Sequence, residues 1–269
     1  MFGTIIGSFL NVVVFRLPVM LEQDWKQQAN EILGNKVEPD EGTFNLVFPN
    51  SHCPSCNHGI RPRENIPLLS FIFLRGKCAH CGVSIPARYP AVELLAGMMT
   101  VVIIMFFGAT PLGLSACILT WALIALSLID YDTQLLPDNI TLPLLWLGLV
   151  VNYYGVVTNL QDAFIGACLG YLSLWSVFHL FKLVTGKDGM GYGDFKLLAM
   201  LGAWMGWQSL PLIIILSSLA GALLGGSLIL LGRDKAKPIP FGPYLAIAGW
   251  IALIWGDEIT RSYLQFAGL

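Results

Sequence analysis

Eight apolar runs dominate this sequence and leave it few ways to fold: 1–15, 91–107, 112–129, 140–157, 162–183, 195–207, 209–231 and 240–256. In lipid every backbone N–H and C=O must be satisfied within the segment, so runs of this kind become membrane helices. Turn chemistry separates several of them, in GATPLG, LLPDN, GKDGMGYGD and KPIPFGP. Only 12% of the residues are charged, against roughly 25% in a soluble domain, and mean hydropathy is +0.69. The pattern predicts an all-α polytopic membrane protein of about eight transmembrane helices, with membrane lipid around it. Run 195–207 is short enough for a half-span. Run 1–15 also falls short of the ~20 residues that cross the hydrocarbon, so either it crosses with help from its neighbours or the chain starts upstream. It has neither the basic n-region nor the small-residue cleavage site of a signal peptide.

Polar residues are unevenly placed. Eight of the fifteen Lys and Arg residues, and four of the six cysteines, lie between Arg16 and Arg88. The expected organisation is therefore a first membrane helix at 1–15, a cytoplasmic insert at 16–90 and a membrane-embedded core at 91–269. Basic residues orient it. With residue 1 outside, fourteen of the fifteen fall in or at the rims of the inner loops 16–90, 130–139, 183–194 and 232–239, and only Arg261 falls outside. Such a bias puts the insert in the cytoplasm. A net charge of −2 without any basic tract gives no reason to expect a nucleic-acid partner.

The insert carries CPSC (Cys53, Cys56) and CAHC (Cys78, Cys81). Two C-x2-C turns can close four thiolates around a tetrahedral Zn²⁺, whereas stable disulfides are rare in the cytoplasm. The expectation is a structural zinc held by Cys53, Cys56, Cys78 and Cys81. His52, His58 and His80 read as solvated loop residues. Cys117 and Cys168 read as small apolar residues within the spans.

Carboxylates supply the chemistry. Asp130 ends the third run and Asp194 begins the sixth, so the topology puts both at the inner membrane face. Ionisable groups at that depth point to function. Two carboxylates brought together share one proton, and such a pair can activate water and polarise a peptide carbonyl. The glycines of GMGYGD would give an unwound backbone that admits an extended peptide. The plainer alternative makes these aspartates N-caps, a role that Asp138 after Pro137 fits well. Asp132 and Asp188 read as solvated. Glu93 either lines the cavity or caps its helix. Asn11 contacts substrate backbone or anchors at the headgroups, and Arg16 reads as an anchor. Lys196 is two residues from Asp194 and so points elsewhere on a helix. His179 reads as a satisfied bundle histidine.

Taken together, GSFLNVVVFRLP (7–18), the cysteine pairs, RYPAVELLAG (88–97), LIDYDTQLLPDNITLPLLWLGL (128–149) and GMGYGDFKLLAMLGAWMGW (189–207) resemble the bacterial prepilin peptidases, or type IV leader peptidases. These are GxGD intramembrane aspartyl proteases of the inner membrane. The resemblance runs in order over nearly the whole chain. It implies cleavage of the leader from prepilins and pseudopilins at the cytoplasmic face, with Asp130 and Asp194 as the catalytic pair. It also implies N-methylation of the new amino terminus from S-adenosylmethionine, because the cysteine pairs accompany the bifunctional members.

Two rivals make different predictions. A proton- or cation-coupled transporter using Asp130 and Asp194 would carry polar groups across the whole bundle. A zinc-bearing scaffold would tolerate Asp→Asn at both positions.

Overall fold

In a computed structural model, which describes residues 1–34, 44–230 and 239–267, each of the eight apolar runs has a helix over most of its length. The helices are α1 (Phe2–Ile32), α2 (Leu69–Phe73), α3 (Arg88–Phe107), α4 (Pro111–Thr133), α5 (Asp138–Tyr153), α6 (Leu160–Thr185), α7 (Tyr192–Met205), α8 (Leu210–Leu230) and α9 (Gly242–Ala267). Among the described residues there is no strand, only isolated bridges His52–Gly59 and Lys77–Ser84. The basic loop expected at 232–239, with Arg233, Lys235 and Lys237, lies almost wholly outside the described residues, as does Lys36.

Among the described residues, five helices are long and apolar enough to cross a membrane: Phe2–Ile32, Arg88–Phe107, Pro111–Thr133, Leu160–Thr185 and Trp207–Ser227. The other three fall short for identifiable reasons. At 16 and 14 residues, α5 and α7 reach about 24 and 21 Å, against ~30 Å of hydrocarbon. Helix α9 is long enough but runs into Asp257, Glu258 and Arg261. At the amino end, α1 does not stop with its apolar run. It continues through Pro18 and the helix-forming stretch to Ile32, because LEQDWKQQANEI contains no glycine or further proline to end it.

The chain divides into two compact units, Met1–Val102 and Ile103–Leu269. In the first, α1 meets the amino-terminal part of α3 along small residues. A Cβ added at Gly7 would lie 2.7 Å from Glu93 Cα, and one at Gly97 would lie 2.7 Å from Thr4 Cγ2. Glycine at these places lets two backbones approach where no hydrophobic force acts between helices.

The second unit is built around α7. Phe195, Leu197, Leu198, Met200, Leu201, Ala203 and Trp204 are all fully buried, as a helix apolar on every side must be. Helices α5, α6 and α9 pack on it. On the α6 side, Gly166 and Gly202 meet backbone to backbone. On the α5 side, Trp204 Nε1 donates to Leu144 O at 2.8 Å. Asn152 Nδ2 donates to Ala203 O and Trp204 O at 2.9 and 2.8 Å, while its oxygen accepts from Val157 and Thr158 N–H. A buried amide with every hydrogen bond made fixes the carboxyl end of α7, and so the height of Asp194 at its other end.

Candidate active site and metal centre

Asp130 lies in the last turn of α4 and is 5% exposed. Gln134, in the left-handed conformation, ends the helix by donating its N–H to Asp130 O at 2.9 Å. The Asp130 carboxylate accepts the Gly242 N–H on Oδ2 at 2.9 Å. Gly242 opens α9, so its amide is one of the donors a helix start leaves unmatched, and an anion there is favoured. No side chain fits at 242, since a Cβ would stand 2.7 Å from that carboxylate oxygen.

Asp194 is 7% exposed and sits at the third helical position of α7, whose N-cap is Gly191. Its N–H donates to Gly191 O at 3.2 Å, and its carboxylate faces the Gly191 N–H in return. An acid at N3 reaching back to the N-cap amide is half of a capping box; glycine lacks the other half. Asp194 thus sits at the amino end of α7, and the Asp130 carboxylate, at the carboxyl end of α4, faces the amino end of α9.

One side chain links them. A Cβ at Gly193 would lie 2.8 Å from Leu136 Cβ, and one at Gly242 would lie 3.1 Å from Leu136 Cδ2. Leu136 thus touches the glycine beside Asp194 and the glycine that holds Asp130. The two buried carboxylates are close enough for the charge on Asp130 to act on Asp194. Leu136 and Gly242 were not singled out from the sequence. Gly242 had one signal, its place before Pro243 in PFGP, but its contact is with a residue 112 positions away.

Of the neighbouring charges, Asp138 differs from its sequence reading. Asp138 is not the N-cap of α5: Pro137 is, and Asp138 opens the helix. A side chain at the first helical position points outward, and there both Asp138 oxygens take the Lys196 ammonium at 2.7 and 2.8 Å. Lys196 is thereby turned from Asp194. Asp188 pairs with Lys182 at 2.8 Å. The glycine-rich stretch is unwound over 186–191, between α6 and α7, but not up to Asp194. Of its four glycines only Gly186 has a positive φ, 71°, and Gly193 lies within α7. Gly189 and Gly193 serve as room for Phe181 and Leu136. His179 is exposed, with its ring tilted against Trp175 at 4.3 Å, rather than satisfied inside the bundle.

Cys53, Cys56, Cys78 and Cys81 come together with their sulfurs all within 4.8 Å of one another. The two turns that carry them are copies. Cys53 N–H donates to His58 O and Cys78 N–H to Val83 O, and the positive φ falls in the same register at Asn57 and Gly82. Bridges His52–Gly59 and Lys77–Ser84 close both loops. A tetrahedron with Zn–S of about 2.3 Å has edges of about 3.8 Å, and Cys53 Sγ to Cys81 Sγ measures 3.8 Å. Amides of Cys81 and His80 lower the Cys78 thiol to about 6, while burial and the neighbouring sulfurs push its partner Cys56 up to about 12. The donor set fits Zn²⁺. His58 and His80 stack on each other at 5.1 Å, and His58 lies 3.5 Å from Glu64.

Also in the first unit, Arg16 departs from its reading as a headgroup anchor. It is 7% exposed, donates to Asn45 O at 2.8 Å and Pro49 O at 2.6 Å, and covers the Phe44 ring. Two carbonyls and a ring satisfy a buried guanidinium better than a membrane rim would. Asn11 Nδ2 donates to Tyr89 O at 3.1 Å. Glu93, 8% exposed, neither caps its own helix nor stands in its first turn: it accepts the Leu68 N–H at 2.8 Å.

Membrane-length helices around a buried pair of carboxylates define a membrane-embedded protein with a hydrolytic kind of site, and comparison makes the class specific. Residues 117–226, which hold both aspartates, match the type IV leader peptidase family, and residues 1–107 match the bacterial peptidase A24 N-terminal domain. A prepilin leader peptidase/N-methyltransferase of Pseudomonas aeruginosa is 61% identical over 99% of this chain and 92% of its own length. Proteins of the same name from Aeromonas hydrophila and Dichelobacter nodosus are 57% and 48% identical, over 98% and 99% of this chain and 92% and 93% of their own. The chain belongs to the type IV leader peptidase family. It is a peptidase and a multi-pass inner-membrane protein. Nothing in these matches supports the transporter reading. No solved structure matches it.

Proposed function

We propose that Asp130 and Asp194 are the pair with which this peptidase removes the leader of a prepilin or pseudopilin. The observation that carries the reading is their shared setting: two buried carboxylates that each face the amino end of a helix, with Leu136 against the glycine beside each, and close enough to interact. Such a pair holds one proton between its members. The ionised carboxylate draws a proton from water while the protonated one donates to the scissile carbonyl oxygen. The resulting diol collapses as the first carboxyl returns its proton to the leaving amine. No covalent intermediate is needed. Amides of Gly242 and Gly191 hold the two carboxylates in place throughout, and preorganisation of this kind spares the cost of reorienting dipoles during the reaction.

The same reading assigns N-methylation of the new amino terminus, with S-adenosylmethionine as the donor of an electrophilic methyl group. Zn²⁺ at Cys53, Cys56, Cys78 and Cys81 is structural in this view, because four thiolates leave no coordination position open. It staples the insert at 16–90. The basic residues put that insert and the aspartate pair at the cytoplasmic face of the inner membrane, with 1–15 as the first membrane helix, 91–269 as the embedded core and eight passages in all.

Mass spectrometry of a prepilin incubated with membranes carrying the protein and S-adenosylmethionine tests the reading. The parent protein removes the leader and adds one methyl group. Asp130→Asn and Asp194→Asn each leave the leader attached. Cleavage by either variant at the parental rate would remove the pair from the mechanism.

A further inference from the structure

The peptidase mechanism uses two of the buried carboxylates and leaves one unexplained. Glu93 stands on α3 in the first unit, 8% exposed. Its Oε2 accepts the Leu68 N–H at 2.8 Å, and among the described residues Oε1 makes no hydrogen bond. No described cation pairs with it. Among the described residues no buried side-chain oxygen lacks a partner, so Oε1 is open to solvent, while the Leu68 contact itself carries a cost. Leu68 has φ 62° and ψ −45°, a conformation that disfavours a side chain like leucine's. Gly7 lies against the Glu93 backbone with no room for a Cβ, so the carboxylate is set firmly on its helix. A glutamine would serve the Leu68 amide as well without a charge to desolvate. The Leu68 amide fixes one carboxylate oxygen, and the other is left open to take a donor.

An acid without a second acid cannot perform the paired proton exchange of Asp130 and Asp194. What a lone, half-satisfied carboxylate does well is receive a cationic N–H donor and take its proton. The reading above has one reactant of that chemistry, the ammonium at the amino end of the cleaved pilin. It must lose a proton before its nitrogen can act as a nucleophile. The residues that match the peptidase family carry both aspartates, whereas Glu93 falls in the separately matched N-terminal domain.

We propose that Glu93 binds the new amino terminus through Oε1 and accepts its proton for methyl transfer. This rests on the methylating half of the proposed function. The proton passes from the ammonium to Oε1. The freed nitrogen lone pair forms an N–C bond to the methyl carbon of the sulfonium donor as the S–C bond breaks. That bond's electron pair remains on sulfur, giving a neutral thioether, and Glu93 returns its proton to water. Charge balances: a cationic donor and a neutral amine become a neutral thioether and a secondary ammonium.

The test uses the full-length protein, the Glu93→Gln and Glu93→Asp variants, a prepilin and S-adenosylmethionine, with product masses followed over time. A second reading measures binding of cleaved, unmethylated pilin without the donor. Glu93→Gln keeps an acceptor for the Leu68 amide, so it should cleave at the parental rate, release unmethylated pilin and bind that pilin roughly tenfold more weakly, the loss of one charge-assisted hydrogen bond. Glu93→Asp should restore part of the methylation. Methylation by Glu93→Gln at the parental rate overturns the proposal. So does joint loss of cleavage and methylation in both variants, which makes Glu93 a structural support. If the parent cleaves but never methylates, the methylating half of the function falls, and this inference falls with it.

Discussion

The two units bury carboxylates by the same local device and put them to different use. In the second unit, Asp130 and Asp194 each take an amide at the start of a helix, from Gly242 and Gly191, and the two meet around Leu136. In the first, Glu93 takes the Leu68 amide and meets no other acid among the described residues. The difference lies in number. Two acids sharing a proton can give and take it in one event, whereas one acid can only hold a cation or accept a proton. A single buried acid and a buried pair are thus distinct chemical instruments even where their hydrogen bonds look alike.

The sharpest way to break this comparison is to neutralise either half of the pair. Asp130→Asn or Asp194→Asn should lower leader cleavage by roughly 10²–10⁴-fold, read as product mass, while methylation of an already cleaved pilin persists. Loss of methylation on cleaved pilin in these variants would merge the two sites into one.

Cys56→Ser should strike the first unit next. Removing one of four thiolates weakens a metal whose binding is part of folding. The expected result is less than one zinc per chain, by elemental analysis, together with protease cuts in 44–87 and fallen methylation. An equal fall in cleavage would show that the second unit depends on the metal.

Gly242→Ala sharpens the pair's geometry. A Cβ 2.7 Å from Asp130 Oδ2 must push the carboxylate aside, and displacements of this size cost roughly 10²-fold in rate. Steady-state assay should find kcat reduced with KM little changed. A parental kcat would mean that the Gly242 amide is not what holds Asp130.

The smallest effect belongs to the Asp138–Lys196 pair. Their side chains are 49% and 30% exposed, so the pair is worth at most about 1 kcal/mol. Asp138→Asn should slow cleavage by a few-fold, and the reversed pair of Asp138→Lys with Lys196→Asp should recover part of it.

Several readings failed at one residue because a helix position alone does not say what meets it. Asp138 follows a proline and precedes a helix, the pattern of a cap, yet Pro137 takes that place and Lys196, 58 residues on, takes the carboxylate. Arg16 ends an apolar run, the pattern of a headgroup anchor, yet backbone carbonyls of Asn45 and Pro49 enclose it. The glycines before Asp194 suggested a loose backbone; 186–191 do lie between helices, but Gly193 is already inside α7, where it makes room for Leu136.

What the sequence determined by itself was whatever depends on neighbours along the chain. Apolar runs specified helices, since lipid leaves the backbone no other way to satisfy its hydrogen bonds. Two C-x2-C turns specified two matching loops, because each closes on its own amides. Tertiary structure alone decided which carboxylates meet, which stand alone and which are spent on a lysine. Those outcomes hang on contacts such as Gly242 to Asp130 and Leu68 to Glu93, 112 and 25 residues apart in sequence. The geometry of such contacts comes from how helices pack, and no local pattern encodes it.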